Sequence, residues 1–201
     1  MASISTVFAV CTLSATALAV GLVVLLHYLE PEFDPSWRML SEYSLGRYGV
    51  VMRAAFLAGA TAVIAVALSG SAWPWSLGLV LVAVGPIGAA VFDTDPITTP
   101  PAEVSRRSSV HAAFGSLFIL GFPVAATIAG IASIGNPAVG PVLAWASAAP
   151  WIGLAWFLGT TIRYARPNGP EALHVPIGWP NRVNTLAYLG WVALAAVTVL
   201  R

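Results

Sequence analysis

The sequence predicts an all-α membrane protein, a bundle of six transmembrane helices. Three observations predict it. Only 8% of the 201 residues are charged and 58% are hydrophobic, whereas a soluble domain carries roughly a quarter charged residues. Six apolar segments approach the length of about 20 residues that a crossing helix needs. The polar residues collect between alternate segments, as they would at one face of such a bundle. Mean hydropathy is +0.84, and apolar helices that satisfy their own backbone groups are the way such a chain crosses lipid.

The first span runs roughly from Ser5 to Tyr28. It lacks the positive n-region of a secretory signal and is too long for its apolar stretch, so it is read as a retained span. The second runs roughly from Tyr48 to Leu68, and the third from Trp73 to Phe92. The fourth covers about Ser109 to Ser133, the fifth Val139 to Ile162 and the sixth Val183 to Leu200. Together they form one integral membrane domain over residues 1–201. Pro86, Pro123 and Pro150 fall inside the third, fourth and fifth spans. Each frees a backbone carbonyl and favours a kink. Trp73, Trp75, Trp145, Trp151, Trp156, Trp179 and Trp191 lie in or near spans. They suit an interfacial belt and packing; an aromatic wall around a cation or isoprenoid is the sharper alternative.

Charge orders the loops. Loops two and four, "SGSA" and "IGNPA", are short and uncharged. Loops one, three and five and their flanks hold Arg38, Arg47, Arg53, Arg106, Arg107, Arg163, Arg166 and Arg182, and the other side has only Arg201. The positive-inside rule then places the three long loops in the cytoplasm and both termini outside, in a plasma membrane. A net charge of +1 offers no basic surface for nucleic acid. The one cysteine, Cys11, excludes an intramolecular disulfide and a thiolate metal motif.

The ionisable groups point to a site at that face. Asp93 and Asp95 close the third span, at the negative end of a helix dipole, and call for an arginine, a cation or a proton to compensate them. His111 starts the fourth span, with Ser108 or Ser109 as N-cap. The positive helix end there favours the neutral imidazole, suited to a metal or to general-base work. His27 ends the first span, Glu42 precedes the second and Arg53 lies inside it. Arg163 and Arg182 flank loop five, which also holds His174. Arg38, Arg106, Arg107 and Arg166 are expected to serve topology or lipid phosphates. Glu30, Glu32, Asp34 and Glu171 are expected in solvated loops.

The ordered elements "LHYLEPEFDP", "LSEYSLGRYG", "FDTDP", "VHAAFG" and "GWPNR" resemble those of the bacterial multipass family known as domain of unknown function 998, over nearly the whole chain. The resemblance singles out His27, Ser41, Glu42, Asp95, His111 and Arg182. Two departures stand out: Asp93 occupies the proline position of the usual "FPxD", and Asn181 stands where Gln or Glu is commoner. The extra carboxylate leaves open which aspartate works. A looser similarity links the chain to Frag/Sfk/DRAM-type membrane proteins, with six spans, a Ser-rich segment after the first and a histidine starting the fourth. It implies lipid handling and outward-facing loops.

The leading expectation is a protein that binds or modifies a membrane lipid or isoprenoid. Glu42, Asp95 and His111 are its candidate acid–base groups. Ser41, Arg53, Arg163 and Arg182 are its candidate ligand contacts, the arginines for an anionic head. A divalent metal ion would draw on His27, Asp93, Asp95 and His111. The first alternative is a non-enzymatic assembly or stress protein, or a small transporter, with the same groups in a structural network. Transport would need polar groups near mid-membrane, yet Thr61, Ser116, Thr127, Ser147 and Thr160 can be satisfied by their own helices. A b-type haem held by His27 and His111 is the other alternative. Glu42 is expected to pair with Arg182 first and Arg53 second, and Asp95 and His111 to line one cavity.

Overall fold

The structure, a computed structural model, describes residues 3–69, 76–164 and 175–200. Trp73, Trp75, Arg166, Glu171, His174 and Arg201 lie outside the described residues. The order is α1 (Ile4–Leu29), α2 (Gly49–Ser69), α3 (Leu77–Val91), α4 (Arg106–Ala132), α5 (Gly140–Ala146), α6 (Ala148–Tyr164) and α7 (Gly178–Val199). Five of the described stretches are long and apolar enough to cross a membrane, α5 and α6 counting as one. The third predicted span appears as the 15-residue α3, roughly 22 Å long, and the residues before it are not described.

A core shared by α1 to α5 and α7 holds the helices together, with Ala9, Val63, Ala83, Phe122, Leu143 and Val192 among its members. Small residues allow a close approach between α3 and α4. A Cβ on Gly85 or Gly88 would run into Phe114 or Phe118, so these glycines let two backbones meet and seat the rings. Pro123 cannot donate to the carbonyl of Ile119. That freed carbonyl accepts the Tyr188 hydroxyl of α7 at 2.6 Å, so the proline exchanges an intrahelical bond for an interhelical one.

The predicted fifth span breaks at Ser147, between α5 and α6. Pro150 follows in the first turn of α6, where its missing N–H leaves the carbonyl of Ala146, the last residue of α5, without its helical donor. Ser147 fills the break usefully: its hydroxyl contacts the carbonyls of Leu143 at 2.8 Å and Ala126 at 3.1 Å. It also accepts the Trp191 indole at 3.0 Å. Thr61 and Thr127 donate to their own helices, as expected, at 2.8 and 2.7 Å. Trp145, Trp151, Trp156 and Trp179 are exposed while Trp191 is buried in the core.

Two helix ends differ from the sequence expectation for one physical reason: they cap each other. α3 stops at Val91, before the aspartates, and α4 starts at Arg106 with Ser105 as N-cap. The open carbonyls of α3 are taken by α4 side chains. Arg107 donates to Val91 O at 2.9 Å, and the His111 Nδ1–H donates to Phe92 O at 2.7 Å. In return Asp95 accepts from the Ser105 N–H at 2.6 Å and its hydroxyl at 3.1 Å, placing a carboxylate at the positive end of α4. α7 also begins earlier than expected, at Gly178. Loop one packs so closely there that a Cβ on Gly178 would meet the Pro35 carbonyl.

Candidate functional site

Loop one does not spread into solvent. It folds back over the bundle end and turns through a short 3-10 helix, Leu40–Leu45, whose Leu40, Glu42, Tyr43 and Ser44 are buried. Tyr43 packs with Leu26 of α1 and with Met52 and Ala55 of α2. The placing of Glu30 in a solvated loop is therefore corrected: it is 0% exposed. Glu30 caps the end of α1, and its Oε1 accepts the Tyr48 N–H at 2.6 Å at the entrance to α2. Its other oxygen has no hydrogen-bond partner among the described residues.

Arg182, 4% exposed, organises the same loop. Its Nε donates to His27 Nε2 at 2.9 Å. Its Nη1 reaches the carbonyls of Arg38 at 2.7 Å, Gly178 at 3.1 Å and Pro35 at 3.3 Å. The His27 Nδ1–H is donated to Val23 O at 2.7 Å, so both nitrogens of that ring are engaged. Tyr43 lies 3.5 Å from Nη2. Burial pushes the Tyr43 phenol above its ordinary range, against the opposing pull of the guanidinium.

The expected pairing of Glu42 with Arg182 or Arg53 is corrected too. Glu42, 1% exposed, pairs with Arg38 at 2.6 Å. The same carboxylate accepts the Ile97 N–H of loop three at 2.9 Å and the Met39 N–H at 2.9 Å. The nearby loop-one arginine wins because Arg182 is already surrounded by carbonyls. Arg53 is held elsewhere: it meets Asp93 at 2.7 Å, and Arg107 reaches the other Asp93 oxygen at 3.2 Å. The two aspartates thus have different roles, Asp93 in ion pairs and Asp95 as a helix cap.

Between these loops and the bundle lies a cavity of about 360 Å³. Ala19, Met52, Ala55, Phe56, Pro86, Phe118, Phe157 and Leu189 give it an apolar wall. Its aromatic lining is phenylalanine. The polar lining is Ser41, Thr94, His111, Ser116, Asn181, Asn184 and Thr185. Ala112, Ser116 and Leu120 line it and are also exposed. These residues lie four apart along one edge of α4, and Phe157 and Leu158 of α6 line the same cavity. Farther along, α4 and α6 close where the Trp151 indole donates to Thr127 at 2.9 Å.

Of the predicted site residues, Ser41 and His111 line the cavity. Asp95 and His111 sit at neighbouring helix ends with separate partners, Ser105 and Phe92. His27, Asp93, Asp95 and His111 do not assemble, and no group of three or more potential ligands among the described residues could hold a metal ion. His27 has no free nitrogen for haem iron. Arg163 is exposed at the end of α6, over the Tyr164 ring, and Arg182 is enclosed by loop one, so neither faces the cavity. The residues missed are Thr94, Asn184 and Thr185. Asn181, Asn184 and Thr185 fall at i, i+3 and i+4, one face of a helix, and that spacing in an apolar span was the available signal.

No curated protein and no solved structure matches the chain. A family model described as "Protein of unknown function" matches residues 13–198. An all-helical membrane chain in which loops one and three close over a half-open cavity, and whose matched region reaches from α1 to α7, belongs to that family, DUF998.

Proposed function

We propose that the protein binds a membrane lipid or isoprenoid in this cavity, admitting the tail from the bilayer between α4 and α6. The observation behind the reading is that Ala112, Ser116 and Leu120 both line the cavity and are exposed on the flank of an apolar helix. Such a site takes an apolar tail sideways and leaves a polar head near His111. The volume lies within the roughly 300–1,000 Å³ usual for small-molecule sites.

Binding fits better than chemical modification. Both Glu42 oxygens accept hydrogen bonds, and both Asp95 oxygens do, which leaves neither carboxylate poised over the cavity. In this reading loops one and three face the cytoplasm, following the arginine count, in a plasma membrane.

Gly115 lines the cavity, and a Cβ added there meets nothing within 4 Å. Gly115→Leu therefore fills the cavity at a helical position that favours a side chain over glycine. Protein purified from native membranes is expected to retain a lipid or isoprenoid detectable by mass spectrometry, and Gly115→Leu to lose it while remaining folded. Equal amounts of lipid on both proteins, or none on either, would contradict the reading.

A further inference from the structure

We propose that the head of the bound molecule is an uncharged hydroxyl, so that the ligand is a long-chain alcohol or a neutral hydroxyl-bearing lipid. The inference rests on the reading of the cavity as a lipid site. It comes from which hydrogen-bonding capacities the fold leaves unused there.

Among the described residues no charged side chain lines the cavity. Four of the described arginines at this face are engaged by other groups. Arg38 is on Glu42, Arg53 and Arg107 are on Asp93, and Arg182 is on His27 and three carbonyls. A phosphate or carboxylate entering the cavity would be desolvated without a counter-charge, which is strongly unfavourable. An ammonium head meets the same objection, because the Glu42 carboxylate is closed off by its own donors.

The remaining polar groups are rich in acceptors. The His111 Nδ1–H is committed to Phe92 O, which leaves Nε2 as the ring's remaining nitrogen. The Asn184 side-chain oxygen is buried and has no hydrogen-bond partner among the described residues. The hydroxyls of Thr94 and Thr185 donate to the carbonyls of Asp95 at 3.1 Å and Asn181 at 3.0 Å, leaving their oxygens to accept. A buried acceptor without a donor is costly, so the ligand should bring an O–H. A hydroxyl also accepts, and the Ser41 hydroxyl and Asn181 amide among the lining groups can donate to it. Hydrocarbon alone would leave the acceptors unmatched, and an anionic head would add more acceptors to them.

The test uses three probes with the same pyrene-labelled long tail: a primary alcohol, its phosphate monoester and the plain hydrocarbon. Binding to the full-length protein in detergent is measured by fluorescence, with Gly115→Leu as the blocked control. The alcohol is expected to bind about tenfold tighter than the hydrocarbon, the effect of one or two buried hydrogen bonds, and tighter than the phosphate. Asn184→Leu is expected to reduce the preference for alcohol over hydrocarbon several-fold while hydrocarbon binding persists. A phosphate that binds as well as the alcohol overturns the inference and leaves the lipid site standing. An undiminished preference in folded Asn184→Leu overturns it as well. Failure of all three probes removes the lipid reading together with the inference. The comparison of heads on the unaltered protein decides the matter even if the variant does not fold.

Discussion

The guanidinium of Arg182 donates to the Nε2 of His27 at 2.9 Å, with no carboxylate bound to it among the described residues. The cation instead gathers backbone carbonyls of loop one, those of Pro35 and Arg38, against the start of α7. Nε on His27 and Nη1 on the carbonyls use two nitrogens of a planar fork at once, a reach that the one nitrogen of an ammonium lacks. Arg182→Lys is expected to destabilise the detergent-solubilised protein by about 2–4 kcal/mol, the scale of a broken buried charged network. Thermal unfolding followed by tryptophan fluorescence measures it. A Lys variant as stable as the parent would contradict the organising role.

Glu42 pairs with Arg38 within loop one and joins that loop to loop three through the Ile97 N–H. In a double-mutant cycle, Glu42→Gln and Arg38→Gln are expected to couple by about 1–2 kcal/mol. A cycle pairing Glu42→Gln with Arg53→Gln should show coupling near zero, since Arg53 sits on Asp93. The reverse pattern of couplings would contradict the assignment.

Gly46 and Glu30 make a tighter test of loop one. A Cβ at Gly46 would collide with the Glu30 carboxylate, which is buried and cannot swing into water. Gly46→Ala is expected to lower folded yield and unfolding temperature, at a cost of about 1–3 kcal/mol for an overpacked site. Glu30→Ala in the same chain should recover part of the loss, although Tyr48 N–H then loses its acceptor. A Gly46→Ala protein indistinguishable from the parent would show that the contact relaxes at no cost.

The spans were legible because hydropathy over some 20 residues is a strong signal, and α1, α2 and α4 lie close to the expected segments. Their ends were less legible. The start of α4 at Arg106 depends on Ser105 and Asp95, and the stop of α3 depends on His111 and Arg107 reaching across from another helix. Such capping is tertiary, and a local reading assigns it to the nearest serine or proline. The site followed the same logic. Ser41 and His111 were recognisable as polar residues in ordered motifs. The ion-pair choice of Glu42 was not, because it turned on loop one enclosing Arg182 first. Glu30 reads as a loop acid beside Pro31 and becomes buried only once residues 40–48 fold over α1.

The central claim is that a lipid tail enters between α4 and α6, and its most direct measurement is where a tail touches the protein. Native membranes carrying the protein would be loaded with a lipid bearing a photoactivatable diazirine in its tail, illuminated, and the labelled residues mapped by peptide mass spectrometry. The predicted result is labelling concentrated on cavity-facing Ala112, Ser116, Leu120 and Leu158 and suppressed in Gly115→Leu, above an even background on outward residues such as Leu18 and Ile152. Labelling of those four residues no stronger than that background, and unchanged by Gly115→Leu, would contradict the account.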